Sequence, residues 1–230
     1  MATYEKVSWY QRLKNDMKDM TLREKLAHLW DYYKWVAITA VVVIIAAISV
    51  TVSVAQNSKE LAFGGAVVNL TVSEEGNTYL KEGWFTAMDC NPKKQKIELD
   101  TLFVPNLDMP GTDMQYALGN VTKLTTMIDG SQIDYVMADA YSIHYLCSSG
   151  AFSPLDKVIP AELLAKFEGK LVELEDNGEK CLIAIDISDL PFVKKHIVST
   201  DKTYIAFPGN TPRTQETIAF LEYLMNWGNS

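Results

Sequence analysis

The alternation of apolar and polar residues divides the chain into three parts. Residues 35–55, WVAITAVVVIIAAISVTVSVA, contain no charged side chain over 21 positions. At about 1.5 Å per residue, a helix of that length crosses the hydrocarbon core of a bilayer, which is about 30 Å thick. The pattern therefore predicts a transmembrane helix at 35–55, with an N-terminal segment at 1–34 and a larger domain at 56–230.

Basic residues on either side of the apolar stretch indicate its orientation. Within about 20 residues, the range over which such charges act, Lys59 alone follows the stretch, whereas four basic residues precede it, Lys18, Arg23, Lys25 and Lys34. Basic flanks of a membrane span stay in the cytoplasm. We therefore expect a single-pass protein of the cell membrane, with residues 1–34 in the cytoplasm and residues 56–230 outside it.

A cleaved signal peptide is the alternative interpretation of the apolar stretch, because Ser53 and Ala55 have the small side chains of a cleavage site. A signal peptide has a short basic leader and an apolar region of about 7–15 residues. Here the leader is 34 residues long. An uncleaved signal anchor therefore fits the pattern better.

The segment before the apolar stretch, TLREKLAHLWDYYKW, predicts an amphipathic helix that enters the membrane. Thr21 and Glu24 have the spacing of a capping box. The apolar face has helical spacing and consists of Leu22, Leu26, Leu29 and Tyr33. This helix serves either membrane entry alone or the binding of a partner.

In the domain at 56–230, short apolar runs alternate with helical periods. Three runs predict strands, LAFGGAVVNL at 61–70, KIELDTLFV at 96–104 and IDYVMA at 133–138. Helical spacing predicts helices between and after them, at 74–89, at 114–128 and after Asp139. Strands that alternate with helices form parallel sheets covered by helices, since parallel neighbours need a crossover. We therefore predict an α/β fold: one three-layer lobe with a mostly parallel sheet.

The second half of the domain varies this pattern. KLVELEDNGEKCLIAIDIS, at 170–188, predicts a β-hairpin whose Asp-Asn-Gly turn, at 176–178, contains residues that tolerate positive φ. A small helix precedes the hairpin at Pro160, and a final strand, TYIAF, follows it at 203–207. The chain closes with a helix that Thr211 should cap and Pro212 should begin.

The net charge of the domain that follows the apolar stretch excludes some classes of partner. Residues 56–230 carry 14 basic and 24 acidic side chains. This excess of negative charge argues against binding to nucleic acid, whose phosphates are recognised by basic surfaces, and against docking on anionic lipid. The three cysteines allow at most one disulfide, and we interpret them as small buried apolar residues: Cys90, Cys147 and Cys181.

The sequence lacks the common catalytic motifs. HExxH, Gly-x-Ser-x-Gly, the Walker loop and Cys-x-x-Cys are all absent. The two histidines of the domain, His144 and His196, are 52 residues apart and have no Cys or carboxylate at metal-ligand spacing. We therefore expect no enzymatic activity, no metal and no cofactor.

The segment IDYVMADAYSIHYLCSSGAFSPLD, at 133–156, contains a strand that ends in aspartate, a helix, and a turn of the form Gly-x-hydrophobic-x-Pro-Leu-Asp. This order resembles the extracellular solute-binding proteins of ABC importers, and the matching residues are Asp134, Asp139, Gly150, Phe152, Pro154, Leu155 and Asp156. Two later segments resemble that family in the same order, NGEKCLIAIDIS and TYIAFPGNTPRTQETIAFLEYLMNWG. The resemblance covers most of residues 61–228 and implies a bacterial, extracytoplasmic binding protein.

The second lobe of that family is missing. Its members hold their ligand between two lobes, and the second lobe is inserted within the first. Here the hairpin and the last strand are separated by only fifteen residues, SDLPFVKKHIVSTDK. That length accommodates one short helix, so the resemblance implies a single lobe that is tethered to the membrane.

The carboxyl ends of the strands are where open α/β sheets meet their ligands. The candidate ligand-binding residues at those ends are Asn69, Thr71, Asp139, Tyr141, Asp186, Ser188 and Asn210. Asp139 has an alternative role as the N-cap of the helix that follows it. We expect the partner of this binding module to be a small polar ligand or a membrane protein complex, and residues 35–55 to contact the lipid bilayer. The alternative function is a protein-interaction or structural domain that binds no ligand.

Overall fold

The computed structural model describes residues 21–57, 59–104, 113–176 and 179–228. The chain divides into two units, residues 1–58 and residues 59–230. The first unit contains one described helix, and the second contains the α/β domain. Each unit is described by itself.

The first unit contains the helix α1 (Leu22–Asn57), which is 36 residues long. Its segment Lys34–Val54 has a mean hydropathy of 2.6 over 21 residues, and none of the segment is buried. The predicted apolar helix is thus confirmed: it is long and apolar enough to cross a membrane, and a signal sequence would have the same character. Residues 1–20 and the amphipathic face predicted at 22–33 lie outside what the structure describes.

The second unit is a mixed α/β domain. In chain order its elements are β1 (Glu60–Val68), β2 (Thr71–Val72), α2 (Glu74–Thr78), a π-helical turn (Tyr79–Gly83), α3 (Trp84–Ala87), β3 (Gln95–Leu102), α4 (Met114–Asp129), β4 (Tyr135–Ala138), α5 (Ala140–Ser148), α6 (Leu155–Val158), α7 (Ala161–Ala165), β5 (Leu171–Asp176), β6 (Glu179–Asp186), α8 (Pro191–His196), β7 (Ile197–Val198), β8 (Tyr204–Ala206) and α9 (Thr214–Met225). The predicted strands and helices are therefore present, in the predicted order.

Six strands form the main sheet in the order β3, β1, β4, β8, β6, β5, and β2 pairs with β7 separately. β1 is parallel to both β3 and β4, as predicted. β8, however, is antiparallel to β4 and to β6, and β5 is antiparallel to β6. The expectation of a mostly parallel sheet is therefore wrong for the second half of the domain.

For β5 and β6 the physical reason is the short connection between them. β5 and β6 pair from Leu171 with Ile185 to Asp176 with Glu179, and a connection of two residues is too short for the crossover that parallel strands need. Residues 177–178 of the predicted turn lie outside the described residues. After β6, the backbone N–H of Ile187 donates to the carbonyl of Thr203 over 2.9 Å. The chain therefore re-enters the sheet from the edge at which β6 leaves it, and β8 runs antiparallel.

Alternate strand residues belong to two different hydrophobic clusters, as the two-residue period of a strand requires. Phe63 of β1 packs with apolar residues of α8 and α9, whereas Ala66 of the same strand packs with apolar residues of α4 and α5. Cys147 of α5 is buried in this second cluster, and Cys90 and Cys181 are half-buried.

The buried face of α4 is narrower than its apolar pattern predicts. Ala117, Leu124 and Ile128 are buried, as the helical spacing indicates. Met114 and Leu118, which share that spacing, keep 53% and 49% of their surface exposed. The first turns of α4 therefore present apolar side chains to solvent.

Candidate functional site

Four of the predicted site residues lie together at one edge of the sheet, which we call the Asp139 edge. In the strand register, Ala138 and Asp186 both pair with Tyr204, which is the first residue of β8. Asp139 and Ser188 therefore follow strands that end on either side of β8. Asn69 follows β1, whose last residue, Val68, pairs with Ala138.

Asn69 links three strand ends at this edge. Its φ of 57° lies in the left-handed region, which asparagine tolerates better than most residues. Its Nδ2, which has two hydrogens, lies within hydrogen-bond distance of three acceptors: the carbonyl of Val104 (2.8 Å), Oδ2 of Asp139 (3.1 Å) and Oγ of Ser142 (3.0 Å). Its Oδ1 accepts from the backbone N–H of Val104 over 2.8 Å. The side chain thus has partners for its donors and its acceptor within the protein.

Asp139 is the N-cap of α5, the alternative role that its position in the sequence suggests. Its Oδ1 accepts from the backbone N–H of Ser142 over 2.9 Å, while Asn69 occupies Oδ2. A nearby cavity, lined by Ala140, His144 and Tyr204, measures only about 30 Å³. That volume corresponds to about one water molecule in the liquid. The local chemistry at Asp139 therefore stabilises the end of a strand and the start of a helix.

Asp186 and Ser188 close the loop between β6 and β8. Asp186 accepts from the backbone N–H of Ser188 (3.1 Å) and from Nζ of Lys202 (2.8 Å). Partial burial alone would raise the pKa of Asp186, but the hydrogen bonds from Lys202 and Ser188 outweigh it and hold that pKa below its usual value. Oγ of Ser188 accepts from the backbone N–H of Thr203 over 2.9 Å. These contacts join the two ends of the loop.

The remaining three predicted residues do not join a common site. Thr71 is exposed and begins β2, where it pairs with Val198 of the small sheet. The ring of Tyr141 stacks on that of Tyr145, with the centroids 6.2 Å apart. Asn210 lies at the opposite edge of the main sheet, because β8 runs antiparallel to β4 and β6 and so ends at the other side.

A cavity at that opposite edge measures about 380 Å³. We call it the Asn210 cavity. Its walls come from the end of α4, the end of α5 with the loop that follows, and the loop between β8 and α9. The residues that define it are Thr125, Ile128, Asp129, Ser149, Phe152 and Asn210.

The wall formed by α5 depends on a glycine at the helix end. Gly150 has a φ of +72°, and its N–H donates to the carbonyl of Cys147, while the N–H of Ala151 donates to that of Leu146. This pair of hydrogen bonds is the Schellman motif, which needs a left-handed residue after the helix. The motif turns the chain sharply, so that Ser149 and Phe152 both reach the cavity.

The wall formed by the loop between β8 and α9 is anchored by a buried ion pair. Asp134 is fully buried, and both of its oxygens accept from Nε of Arg213, at 3.0 and 2.9 Å. Thr211 donates to the same carboxylate, and Nη2 of Arg213 donates to the carbonyl of Ser131 over 2.6 Å. Arg213 and Thr211 therefore tie the segment that carries Asn210 to this carboxylate.

Gly64 completes the environment of Asp134. Its backbone N–H donates to Oδ2 of Asp134 over 2.7 Å, and the N–H of Asp134 donates to the carbonyl of Gly64. A Cβ atom at this position would lie 1.8 Å from the carbonyl oxygen of Gln132. Only glycine allows β1 and the start of β4 to approach closely enough for the carboxylate to be satisfied.

A second cavity, of about 310 Å³, lies beside β3 and is lined in part by Lys59, Lys81 and Lys96. Its polar groups are at the ends of long side chains, and ordering each of these around a ligand costs rotamer entropy of up to about 2 kcal/mol. The Asn210 cavity has short polar side chains on fixed backbone turns. Ligand binding in the Asn210 cavity should therefore cost less side-chain entropy than in the second cavity.

His196 and Ser73 form a contact that resembles part of a catalytic triad. Nδ1 of the buried His196 lies 2.9 Å from Oγ of Ser73, and Oε2 of Glu75 lies 3.9 Å from the same nitrogen. In a triad the serine and the acid contact different nitrogens of the ring. Oγ of Ser73 also accepts from the N–H of Gly76, as the cap of α2. The geometry is therefore that of a helix cap packed on a histidine.

The residues of the Asn210 cavity other than Asn210 itself escape prediction from the sequence. Thr125, Asp129 and Ser149 lie at helix ends, and their only sequence signal is proximity to a predicted helix C-terminus. In the described parts of the chain, no three His, Cys, Asp or Glu side chains lie together as a metal ion would require. No model of a known protein family and no curated protein matches this chain.

Proposed function

We propose that the chain is a single-pass, membrane-anchored extracytoplasmic binding module that takes a small polar solute in the Asn210 cavity. Its α/β domain is one three-layer lobe with a β-hairpin, and it resembles a single lobe of the solute-binding proteins of ABC importers. The proposal gives the domain no catalytic step. The cavity at the ends of α4 and α5 is the observation that carries it.

The size and the walls of the cavity support this proposal. Ligand pockets usually measure about 300–1,000 Å³ and combine apolar surface with a few fixed polar groups. The Asn210 cavity measures about 380 Å³ and sets Ile128 and Phe152 beside Asp129 and Asn210. At the Asp139 edge, by contrast, the polar groups of Asn69 already have partners.

The apolar helix and its flanks support the anchoring part of the proposal. Lys34–Val54 has the length of a membrane span, and the basic residues precede it. The bilayer is then the partner of α1, and residues 59–230 lie on the extracytoplasmic side. Protease added to intact cells should degrade the C-terminal domain and leave the N-terminal segment protected. Protection of the C-terminal domain instead would refute this orientation.

The ligand part is tested with full-length protein in detergent micelles. Its unfolding temperature is measured against sugars, amino acids and short peptides at millimolar concentration. Ser149→Trp should fill the cavity and abolish any shift. Ser148→Trp is the matched control, because both serines are exposed and donate to a carbonyl of α5, but only Ser149 lines the cavity. A shift that survives Ser149→Trp would place the binding site elsewhere, and no shift with any solute would refute the proposal.

A second candidate function is protein interaction within a membrane complex, and one group of exposed residues favours it. Phe103, Met114, Tyr116 and Leu118 keep about half of their surface exposed. Contiguous exposed apolar side chains often mark contact surfaces, and Asn120 of α4 donates to the carbonyl of Phe103 over 2.7 Å, which brings Phe103 beside that helix. Leu118→Lys should then abolish recovery of a partner after crosslinking in membranes. Recovery that is equal for Leu118→Lys and the unchanged protein would count against this role.

A further inference from the structure

The hydroxyl groups that line the Asn210 cavity have no hydrogen left to donate to a ligand. Thr125 Oγ1 donates within α4, to the carbonyl of Val121 (3.0 Å) or that of Thr122 (3.2 Å). Ser149 Oγ donates to the carbonyl of Leu146 over 2.7 Å. Each hydroxyl has one hydrogen and two lone pairs. Both therefore present acceptors to the cavity.

The side-chain amide of Asn210 also presents an acceptor, and no donor, to the cavity. Its Nδ2 donates to the carbonyl of Ile128 over 2.6 Å and approaches that of Asp129 at 3.4 Å. Because a carbonyl oxygen only accepts, the nitrogen must face these two groups, which fixes the orientation of the amide. The amide oxygen is left as an acceptor at the cavity wall.

The charge around the cavity is negative. Asp129 is exposed, and it is the one charged residue that lines the cavity among the residues that the structure describes. The C-terminal ends of α4 and α5 both lie at this cavity, and each helix end carries a partial negative charge. The nearby cation, Arg213, is committed to Asp134 and to the carbonyl of Ser131.

From these donors, acceptors and charges we infer that the Asn210 cavity binds a small organic amine, whose ammonium group donates to Asp129 and to two of the three neutral acceptors on Asn210, Thr125 and Ser149. The inference rests on the proposed solute-binding function and names its ligand class. An ammonium group supplies three donors and a positive charge, which match side-chain acceptors and a negative field. A carboxylate or phosphate ligand would be repelled by Asp129 and could not accept from these side chains. Ile128 and Phe152 provide apolar surface for the carbon chain of the amine.

The test is isothermal titration calorimetry on full-length protein in detergent micelles at neutral pH. The three probes have four-carbon chains and differ in charge: putrescine, butanediol and succinate. Putrescine should bind, and Ser149→Trp should abolish its binding while Ser148→Trp does not. Butanediol should bind at least tenfold more weakly and succinate not at all, because a hydrogen bond to a charged group contributes about 1.5–3 kcal/mol.

Two carboxylate variants test whether putrescine is bound by Asp129 in the cavity or attracted by the net negative charge of the domain. Asp129→Asn keeps the shape of the side chain and should weaken putrescine binding roughly tenfold or more. Asp201→Asn removes the same unit of charge from an exposed loop at the Asp139 edge and should leave the affinity unchanged. Equal losses in both variants would indicate general attraction and overturn the inference.

The outcomes distinguish this inference from the proposed function. Cavity-dependent binding of butanediol or succinate as tight as that of putrescine would overturn the amine assignment and leave the solute-binding role standing. Unchanged putrescine affinity in Asp129→Asn would have the same meaning. If no probe and no member of the wider solute panel shows binding that Ser149→Trp removes, both the inference and the proposed function are refuted.

Discussion

Replacing Arg213 with alanine should be among the most destabilising single changes in the domain. The substitution removes the guanidinium that donates to both oxygens of Asp134, at 3.0 and 2.9 Å. Asp134 is fully buried, so the folded domain and not water solvates its charge. Gly64 and Thr211 still donate to the carboxylate, but its charge is left without a counter-charge.

The magnitude follows from burial. Removing one partner of a buried ion pair costs about 3–5 kcal/mol, whereas an exposed pair contributes about 0–1 kcal/mol. For a domain of this size, each kcal/mol lowers the unfolding temperature by about 2–4 °C, so Arg213→Ala should lower it by roughly 6–20 °C. Lysine keeps the charge but loses the planar fork, so Arg213→Lys should fall between alanine and the unchanged protein.

The measurement is the thermal unfolding of full-length protein in detergent, followed by near-ultraviolet circular dichroism of buried aromatic side chains such as Phe63, Tyr135 and Phe220, whose rings contact one another. Lys123→Ala is the matched control, because Lys123 pairs with Asp100 while its side chain is 51% exposed. The control should change the unfolding temperature by only a few degrees. Equal effects of Arg213→Ala and Lys123→Ala would refute the view that the Asp134 ion pair holds the cavity loop.

Three other substitutions have signs that depend on backbone geometry or on pH. Gly150→Ala should destabilise the domain by about 1–2 kcal/mol in chemical denaturation, because its φ of +72° is left-handed. Gly119→Ala, in the exposed middle of α4, should stabilise the domain by up to about 1 kcal/mol. An added Cβ meets no atom within 4 Å at either glycine, so only backbone conformation distinguishes the two sites. If both substitutions stabilised or both destabilised the domain, this explanation would be refuted. Asp186→Asn should destabilise the domain at neutral pH, because Lys202 and Ser188 lower the pKa of Asp186 below 3.8 in the folded state. That stabilisation is present above the unfolded pKa and disappears as the pH falls through the folded one, so the two unfolding curves should converge below about pH 4 and a constant difference would contradict it.

The elements of the domain could be predicted from the sequence because each has a strong local signal. After Glu60, the strand β1 is an uncharged apolar run, and α4 has apolar residues at helical spacing. The role of Asp139 as a cap was also accessible, since aspartate before a helix is a common N-cap. The start of the last helix was not: the helix begins at Thr214 after Arg213, whereas Thr211 lies before it, donates to Asp134 and accepts from the N–H of Arg213.

The cavity could not be predicted, because three segments that are distant in the sequence form it. Thr125, Ser149 and Asn210 belong to α4, to the end of α5 and to the loop after β8. No period within any one segment reveals that they meet. Their meeting depends on the direction of β8, which the residues of the strand do not reveal, and the hydrogen bond between Ile187 and Thr203 shows where the chain re-enters the sheet.

The antiparallel direction of β8 explains why Asn210 does not lie at the predicted edge and why a cavity forms at the opposite one. α4 leads into β4 and α5 leaves it, so both helices run opposite to β4 and end at the edge where β4 begins. A parallel β8 would have placed Asn210 beside Asp139, at the edge that the sequence predicts. Because β8 is antiparallel, its last residues lie instead beside the two helix ends, where Arg213 fixes them to Asp134. The same change of direction that removes Asn210 from the Asp139 edge therefore supplies the third wall of the cavity.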